Sequence, residues 1–251
     1  METDFQSIED NFLSNINNVY KLIDFDRIIL DFSINALERQ KRDLQNLHGI
    51  RNPAMLAENT LTIIKNIRNN DSLRPKYKVM FNQCIVLLVS IFASSIADLF
   101  REGIYKLAKK GKSKNLKSEE LKISVADLIE YGSEIERRLG HLIADKNDYS
   151  FQDMQSIGKA FKQYFEFNME KDIDVHNIIL AQAGRHVIVH DAAKINERFI
   201  RQVSGANPRN IKPDISGTVI EFTSEEVKQA AESMQKYFRK FRAGVEMSLS
   251  S

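Results

Sequence analysis

Residues 79–100 read VMFNQCIVLLVSIFASSIADLF, and Ile85, Val86, Leu87, Leu88, Val89, Ile91, Phe92, Ile96 and Leu99 make this stretch apolar on almost every side of a helix. A helix with no polar face is either the buried centre of a bundle or a membrane span. Val79 to Ala97 carries no charge and comes close to the minimum spanning length. Against a span stand Asn82, Gln83, Ser90, Ser94 and Ser95, and no second such segment occurs. The expectation is a core helix, with no membrane as partner.

Working outward, only 10 Gly and 4 Pro punctuate a chain that is 43% hydrophobic and 28% charged, which favours long amphipathic helices over a turn-rich β protein. The fold class read from this is all-α. Upstream, Ile8, Phe12, Ile16, Val19, Leu22 and Ile23 recur at helical spacing, and Leu30, Ile34, Leu37, Leu44 and Leu47 keep the phase, predicting one long helix or a hairpin from Phe5 to Leu47. Asn52 and Pro53 end it, and Ala54 to Asn69 forms a shorter helix. Downstream, Ser118 with Glu119 and Glu120 predicts a helix start, the helix running to about Ala144. Ser150 with Asp153 has the look of a capping box, and Asp172 or Asp174 caps the segment that follows. Thr218 to Phe222 is β-branched and predicts a short β piece paired with Asn210 to Ile215, before a last helix that Thr223 and Glu226 cap and that reaches about Phe241.

A net charge of +2 is too small to attract nucleic acid by its global field, so any such footprint must be local. Lys106 to Lys117 holds six lysines and no acid; a solvated helix end is the plain reading, and Lys106, Lys109, Lys110, Lys112 and Lys114 are the candidate phosphate contacts. The one cysteine, Cys84, leaves no disulfide framework and fits a reducing compartment. The N-terminus METDFQSIEDNFL has no continuous apolar core of the signal-peptide kind, so a cytoplasmic protein is expected.

Chemistry concentrates in Ala183-Gly184-Arg185-His186-Val187-Ile188-Val189-His190-Asp191. His186 and His190 share a helical face, as zinc-binding pairs do, but Val187 stands where the metalloprotease pattern puts its glutamate base. Asp191 is adjacent in sequence but points elsewhere on a helix, so a third ligand would have to come from far away, and neither metal nor cofactor is expected. Arg185 and His190 form an Arg-x4-His pair. RNA carries its own nucleophile in the 2′-hydroxyl, so cleavage needs a proton acceptor, a proton donor and positive charge for the phosphorane, which imidazole and guanidinium supply. Spacing alone does not decide, because Arg42 and His48 satisfy a similar gap.

The surrounding sequence does discriminate. RHVIVHDAAKINERFIRQ (185–202) resembles the signature helix of HEPN proteins, in which an Arg-x4-6-His motif precedes a segment of the type VHNxGxxxxRF. RPKYKVMFNQCIVLLVSIFASSIADLF (74–100) and SFQDMQSIGKAFKQYF (150–165) resemble the preceding helices of HEPN families near the RNase-L-like and abortive-infection groups. The similarity covers roughly Pro75 to Phe241. It implies an N-terminal helical extension (1–72), an up-and-down HEPN-like helical bundle (73–243) and a disordered tail (244–251).

The resemblance further implies a homodimer whose two motifs line one cleft, and a metal-independent endoribonuclease of toxin or anti-phage type acting on an RNA substrate, held in check by a cognate antitoxin or sensor protein. By carry-over His190 is general base or acid and Arg185 the phosphate clamp, with His186, Asp191 and Asp98 in support. His186 stands where relatives often have Asn, and Ala93 where they often have a glutamate, leaving Asp98 as the nearest acid. The alternative is a non-catalytic HEPN module that binds RNA, dimerises or senses a partner.

Overall fold

The computed structural model describes residues 4–46, 51–69, 78–111, 114–206 and 216–250, and every regular element among them is helical. In chain order these are α1 (Phe5–Ile23), α2 (Phe25–Asn46), α3 (Arg51–Asn69), α4 (Lys78–Lys110), α5 (Lys114–Lys117), α6 (Val125–Tyr131), α7 (Ile135–Lys146), α8 (Met154–Phe165), α9 (Ile173–His190), α10 (Glu197–Val203) and α11 (Ser224–Ser250). A single 3-10 turn, Gly132–Glu134, joins α6 to α7.

The apolar stretch that opened the sequence is the axis of the fold. α4 packs against α1, α7, α9 and α11, and α9 in turn against α10 and α11. Being surrounded is what its lack of a polar face requires. It is also the one helix among the described residues that is long and apolar enough to cross a bilayer, but its buried side chains, from Phe81 to Leu107, belong to the common core. α1 buries Phe5, Ile8, Phe12, Ile16, Val19 and Ile23 in that same core, with Phe12 stacked on Phe238 of α11 at 4.7 Å. Phe100 is ringed by Tyr149, Phe151, Phe161, Tyr164 and Phe165, centroids 5.4 to 6.1 Å away. α7 crosses α4 so closely that a Cβ on Gly140 would lie 2.6 Å from Cα of Arg101, so only glycine fits.

Several boundaries differ from the sequence reading, each for a local reason. The first 72 residues do not form one extension: α1 belongs to the core, while α2 and α3 pack on each other. Ion pairs Lys41–Glu58, Lys65–Glu38 and Arg68–Asp31, at 2.7 to 2.8 Å, fix an antiparallel hairpin. α3 begins at Arg51, which puts Pro53 inside its first turn, a position that proline tolerates. Ser118 starts no helix, because Glu119 turns inward to accept hydrogen bonds from Lys146 Nζ (2.5 Å) and Tyr164 Oη (2.6 Å); helix resumes only at Val125.

No strand forms among the described residues. Thr218 to Phe222 is extended, yet its pairing is one antiparallel bridge, Lys194 to Val219, since the chain enters α10 immediately after Ile195; the expected partner at 210–215 lies outside the described residues. The final helix does not stop near Phe241 before a disordered tail. Val245 is fully buried and Ser248 Oγ donates to the Phe165 carbonyl at 2.6 Å, so packing carries α11 on to Ser250.

Candidate active site

Three caps set the helices that matter. Asp172 accepts from the Val175 N–H at 3.0 Å and starts α9, while Asp174 instead accepts from Ser233 Oγ at 2.9 Å. Asp153 accepts from the Ser156 N–H at 2.9 Å and starts α8. Thr223 and Glu226 exchange two hydrogen bonds, the Thr223 N–H donating to Glu226 Oε2 (2.9 Å) and the Glu226 N–H to Thr223 Oγ1 (3.2 Å), a reciprocal capping box on α11.

α9 buries Val175, Ile178, Leu180, Ala181, Gln182, Ala183, Gly184 and Val187, which turns its C-terminal polar residues toward solvent. At Gly184 the extended segment before α11 presses onto the helix: a Cβ there would sit 2.6 Å from the Phe222 ring. Buried Asn82 of α4 clamps that segment, donating from Nδ2 to the Ile220 carbonyl and accepting at Oδ1 from the Phe222 N–H, both at 3.0 Å. Arg185, the next residue, is half-buried, and its Nε is a buried donor without an acceptor.

His186 and His190 lie one turn apart with ring centroids 4.8 Å apart and planes at 45°. His186 is half-buried, and burial, then the Arg198 guanidinium, push its imidazole below the ordinary histidine range; His190 and Arg185 push the same way and Asp191 opposes them. His190 is exposed at the last position of α9. Asp191 caps the helix end and accepts from Asn196 Nδ2 at 2.9 Å, while Asn196 Oδ1 takes the Phe199 N–H (2.8 Å) to start α10. The turn between them puts two alanines, Ala192 (φ 49) and Ala193 (φ 62), in the left-handed region, and the Ala193 N–H donates back to the Val187 carbonyl at 2.8 Å. The bond spans six positions, one more than the long bond of a Schellman end, and closes a wider turn without glycine. It holds His190 and Asp191 at a defined exit angle.

Arg185, His186, His190 and Asp191 are therefore one neighbourhood, and Arg198 joins it. Sequence reading passed over Arg198, although it is the arginine of the Arg-Phe pair that closes the motif segment, beside buried Phe199. Arg185 and His190 themselves diverge by about 140° around a regular helix, and α9 is helical through both. A groove of about 400 Å³ between α1 and α4, a cleft of about 660 Å³ beside α8 and a niche of about 40 Å³ between α9 and α11 are lined by other residues.

The other candidates lie elsewhere. Asp98 lines the α1–α4 groove and pairs with Arg101 at 3.1 Å. Sixteen residues separate it from Asn82 on the same helix, about 24 Å at 1.5 Å per residue, so it does not support His190 within one copy. The lysines sit farther still along α4. Lys106 is paired with Asp4 and Glu102 and lies over the Phe5 ring, Lys109 lies over the Tyr105 ring, and Lys110 donates to the Leu249 carbonyl. Lys112 is outside the described residues and Lys114 begins α5. Lys106 and Lys110 thus fasten the chain's own ends. His141 is half-buried and held below the usual range by burial, then by Arg101 and Arg138. Arg42 donates from Nε to the Glu38 carbonyl, and its spacing partner His48 lies outside the described residues. No group of three His, Cys, Asp or Glu suited to a metal ion occurs among the described residues.

Comparison with protein families, with curated proteins and with solved structures finds no match.

Proposed function

We propose that the chain is a HEPN-type endoribonuclease that cleaves RNA without a metal, by attack of the 2′-hydroxyl on the adjacent phosphate. The observation that carries this reading is the gathering of Arg185, His186, His190 and Arg198 at one end of α9, with the two imidazoles 4.8 Å apart and His190 exposed. Guanidinium and imidazole groups together supply the charge and the proton exchange that a phosphodiester needs. In the cleavage step His190 takes the 2′-hydroxyl proton or returns one to the departing 5′-oxygen. Arg185 and Arg198 offset the charge that builds on the phosphorane, and His186, whose protonation burial and then Arg198 disfavour, stands beside His190. A second copy supplies the opposite wall, as the shared-cleft arrangement of HEPN dimers implies. Regulation by an antitoxin or sensor in a cytoplasmic defence setting follows from the same resemblance.

The competing reading is a non-catalytic HEPN module that binds RNA or a partner. It is favoured by the divergence of Arg185 from His190 on an unbroken helix. Pure protein incubated with single-stranded RNA in excess EDTA separates the two. The nuclease produces fragments ending in a cyclic phosphate, and a 2′-deoxy substitution at the cut site blocks them. His190→Ala lowers the rate by about 10²- to 10⁴-fold, the ordinary worth of a positioned acid or base. Absence of cleavage by the wild type, or cleavage that survives His190→Ala, refutes the proposal.

A further inference from the structure

The charge of the chain is not spread evenly. Residues 185–201 hold Arg185, Lys194, Arg198 and Arg201 against Asp191 and Glu197, an excess equal to the net charge of +2 of the whole chain, so the remainder is neutral. On α11 the cations are committed: Lys228, Lys236, Arg239, Lys240 and Arg242 all pair with acids of other elements. Lys194, Arg198 and Arg201 differ. All three are exposed, and among the described residues no ion pair or hydrogen bond takes up their side chains. Of the two acids in the stretch, Asp191 is already bound by Asn196. Single unpaired cations on a surface are ordinary; what sets these apart is where they stand.

Their backbone is fixed. The Lys194 N–H donates to the Asp191 carbonyl at 2.9 Å, the Ile195 N–H to the Thr218 carbonyl at 2.8 Å, and Asn196 caps the start of α10. Burial of Ile195, Phe199 and Val203 leaves the cations between them on the solvent side. Arg198 is close enough to His186 to disfavour its protonation. Arg201 follows three residues later, which makes it the neighbour of Arg198 on the helix surface, with Cβ atoms about 5–6 Å apart. Lys194 lies four residues past His190, on the other side of the Asn196 cap. The unpaired cations therefore begin at the candidate site and continue away from it along α10.

We propose that Lys194, Arg198 and Arg201 form a track for the phosphates of single-stranded RNA, carrying the strand over α10 from the phosphate held at Arg185 and His190. The ligand rests on the nuclease reading, whose substrate it is. A chain with a weak global field needs a local patch of this kind to gather a polyanion. Planar arginine forks match phosphate oxygens, and lysine adds a point charge. The one aromatic ring of the stretch, Phe199, is buried, so the strand is held by its backbone and not by stacked bases. Such contacts give affinity and register without sequence preference. An acidic peptide offers carboxylates to the same cations, but the two imidazoles beside the track favour a phosphodiester.

Fluorescence anisotropy of a labelled single-stranded RNA across a salt series tests it, on a His190→Ala parent so that the strand stays intact. The logarithm of affinity should fall linearly with the logarithm of salt concentration. Lys194→Gln and Arg201→Gln should each lower the slope by about 0.7, the worth of one phosphate contact on a single strand, and together by about 1.4. The helical circular-dichroism signal should stay unchanged, since both positions are exposed. Lys159→Gln with Lys162→Gln, exposed lysines in a cleft that the motif does not line, should leave the slope where it was. A Lys194→Gln, Arg201→Gln double variant that keeps the parent slope overturns the track, and so does an equal loss in the α8 control. Polyglutamate bound more tightly than RNA of equal charge also overturns it and assigns the face to an acidic protein. RNA bound with the expected slope losses, yet never cut when His190 is present, keeps the track and removes the nuclease. Cleavage whose KM ignores both substitutions does the reverse.

Discussion

Replacing Gly184 with alanine sets a methyl carbon 2.6 Å from Cε2 and Cζ of Phe222, where carbon atoms rest at about 3.5–4.0 Å. Something must yield by about 1 Å. α9 cannot, because Ala183 and Val187 on either side are fully buried. The ring has little room either: Phe222 is buried, and both its own N–H and the Ile220 carbonyl are held by Asn82. Overpacking of this kind costs roughly 1–3 kcal/mol. Alanine recovers about 1 kcal/mol of helix propensity over glycine, so the net expectation is a loss of about 1 kcal/mol, or some 2–4 °C in melting temperature for a chain of this size.

The displaced ring lies beside Arg185, and an error of about 1 Å in a positioning element can cost about 100-fold in rate. Gly184→Ala should therefore reduce RNA cleavage far more than it reduces stability. Urea denaturation followed by circular dichroism gives the first quantity and single-turnover cleavage the second. Adding Phe222→Leu should restore part of both, because the two residues share one contact and their effects must couple. A Gly184→Ala protein that is more stable than wild type, or a pair of substitutions that add independently, refutes the wedge.

Asn82→Leu removes two buried hydrogen bonds and leaves the Phe222 N–H without its acceptor, so a loss of roughly 2–3 kcal/mol in chemical denaturation is expected. His186 has its folded pKa depressed, so the unfolded chain takes up its proton first; stability falls as pH drops below about 6.5, and His186→Gln should flatten that fall as measured by denaturation midpoints between neutral and mildly acid pH. Cys84 is buried and its thiol is pushed up to about 11, so it should resist thiol reagents in the native protein and react at once in denaturant. Deleting residues 244–251 removes fully buried Val245 and the bond from Ser248 to the Phe165 carbonyl, so the truncated chain should unfold at lower urea than the full one.

What the sequence disclosed, and what it withheld, divides along physical lines. A helix apolar on all sides has one soluble solution, so the central place of α4 was readable from residues 79–100. The Thr223–Glu226 box was readable because both partners lie within one turn. The long-range contacts left no local trace. Nothing near Ser118 signals that Glu119 will be claimed by Lys146 and Tyr164, and nothing near Thr218 signals that Asn82, far upstream, will hold that segment as a clamp instead of a strand. The tail was misread for the same reason, since the cover of Val245 comes from α4, far away in sequence.

The candidate site shows the same division at finer scale. Arg185 and His190 were legible as residue types at a spacing, and Asp191 only as a neighbouring acid. The unmet donor at Arg185 Nε, the nearness of Arg198 to His186 and the left-handed alanines that end α9 exist only once α10 and the clamp are in place. An alanine in that region costs about 1–2 kcal/mol relative to its right-handed conformation, and two occur in succession directly after His190 and Asp191. Strain of that size persists only where the surroundings over-determine the turn. Here they do: the Ala193 N–H is bound to Val187, the Ala193 carbonyl accepts from the Ile220 N–H at 2.8 Å, and Asp191 is bound by Asn196. The segment clamped by Asn82 therefore fixes both flanks of the motif, pressing on Gly184 before Arg185 and holding Ala193 after His190. The relative placement of guanidinium and imidazole is set by α4 through that segment, and not by α9 alone.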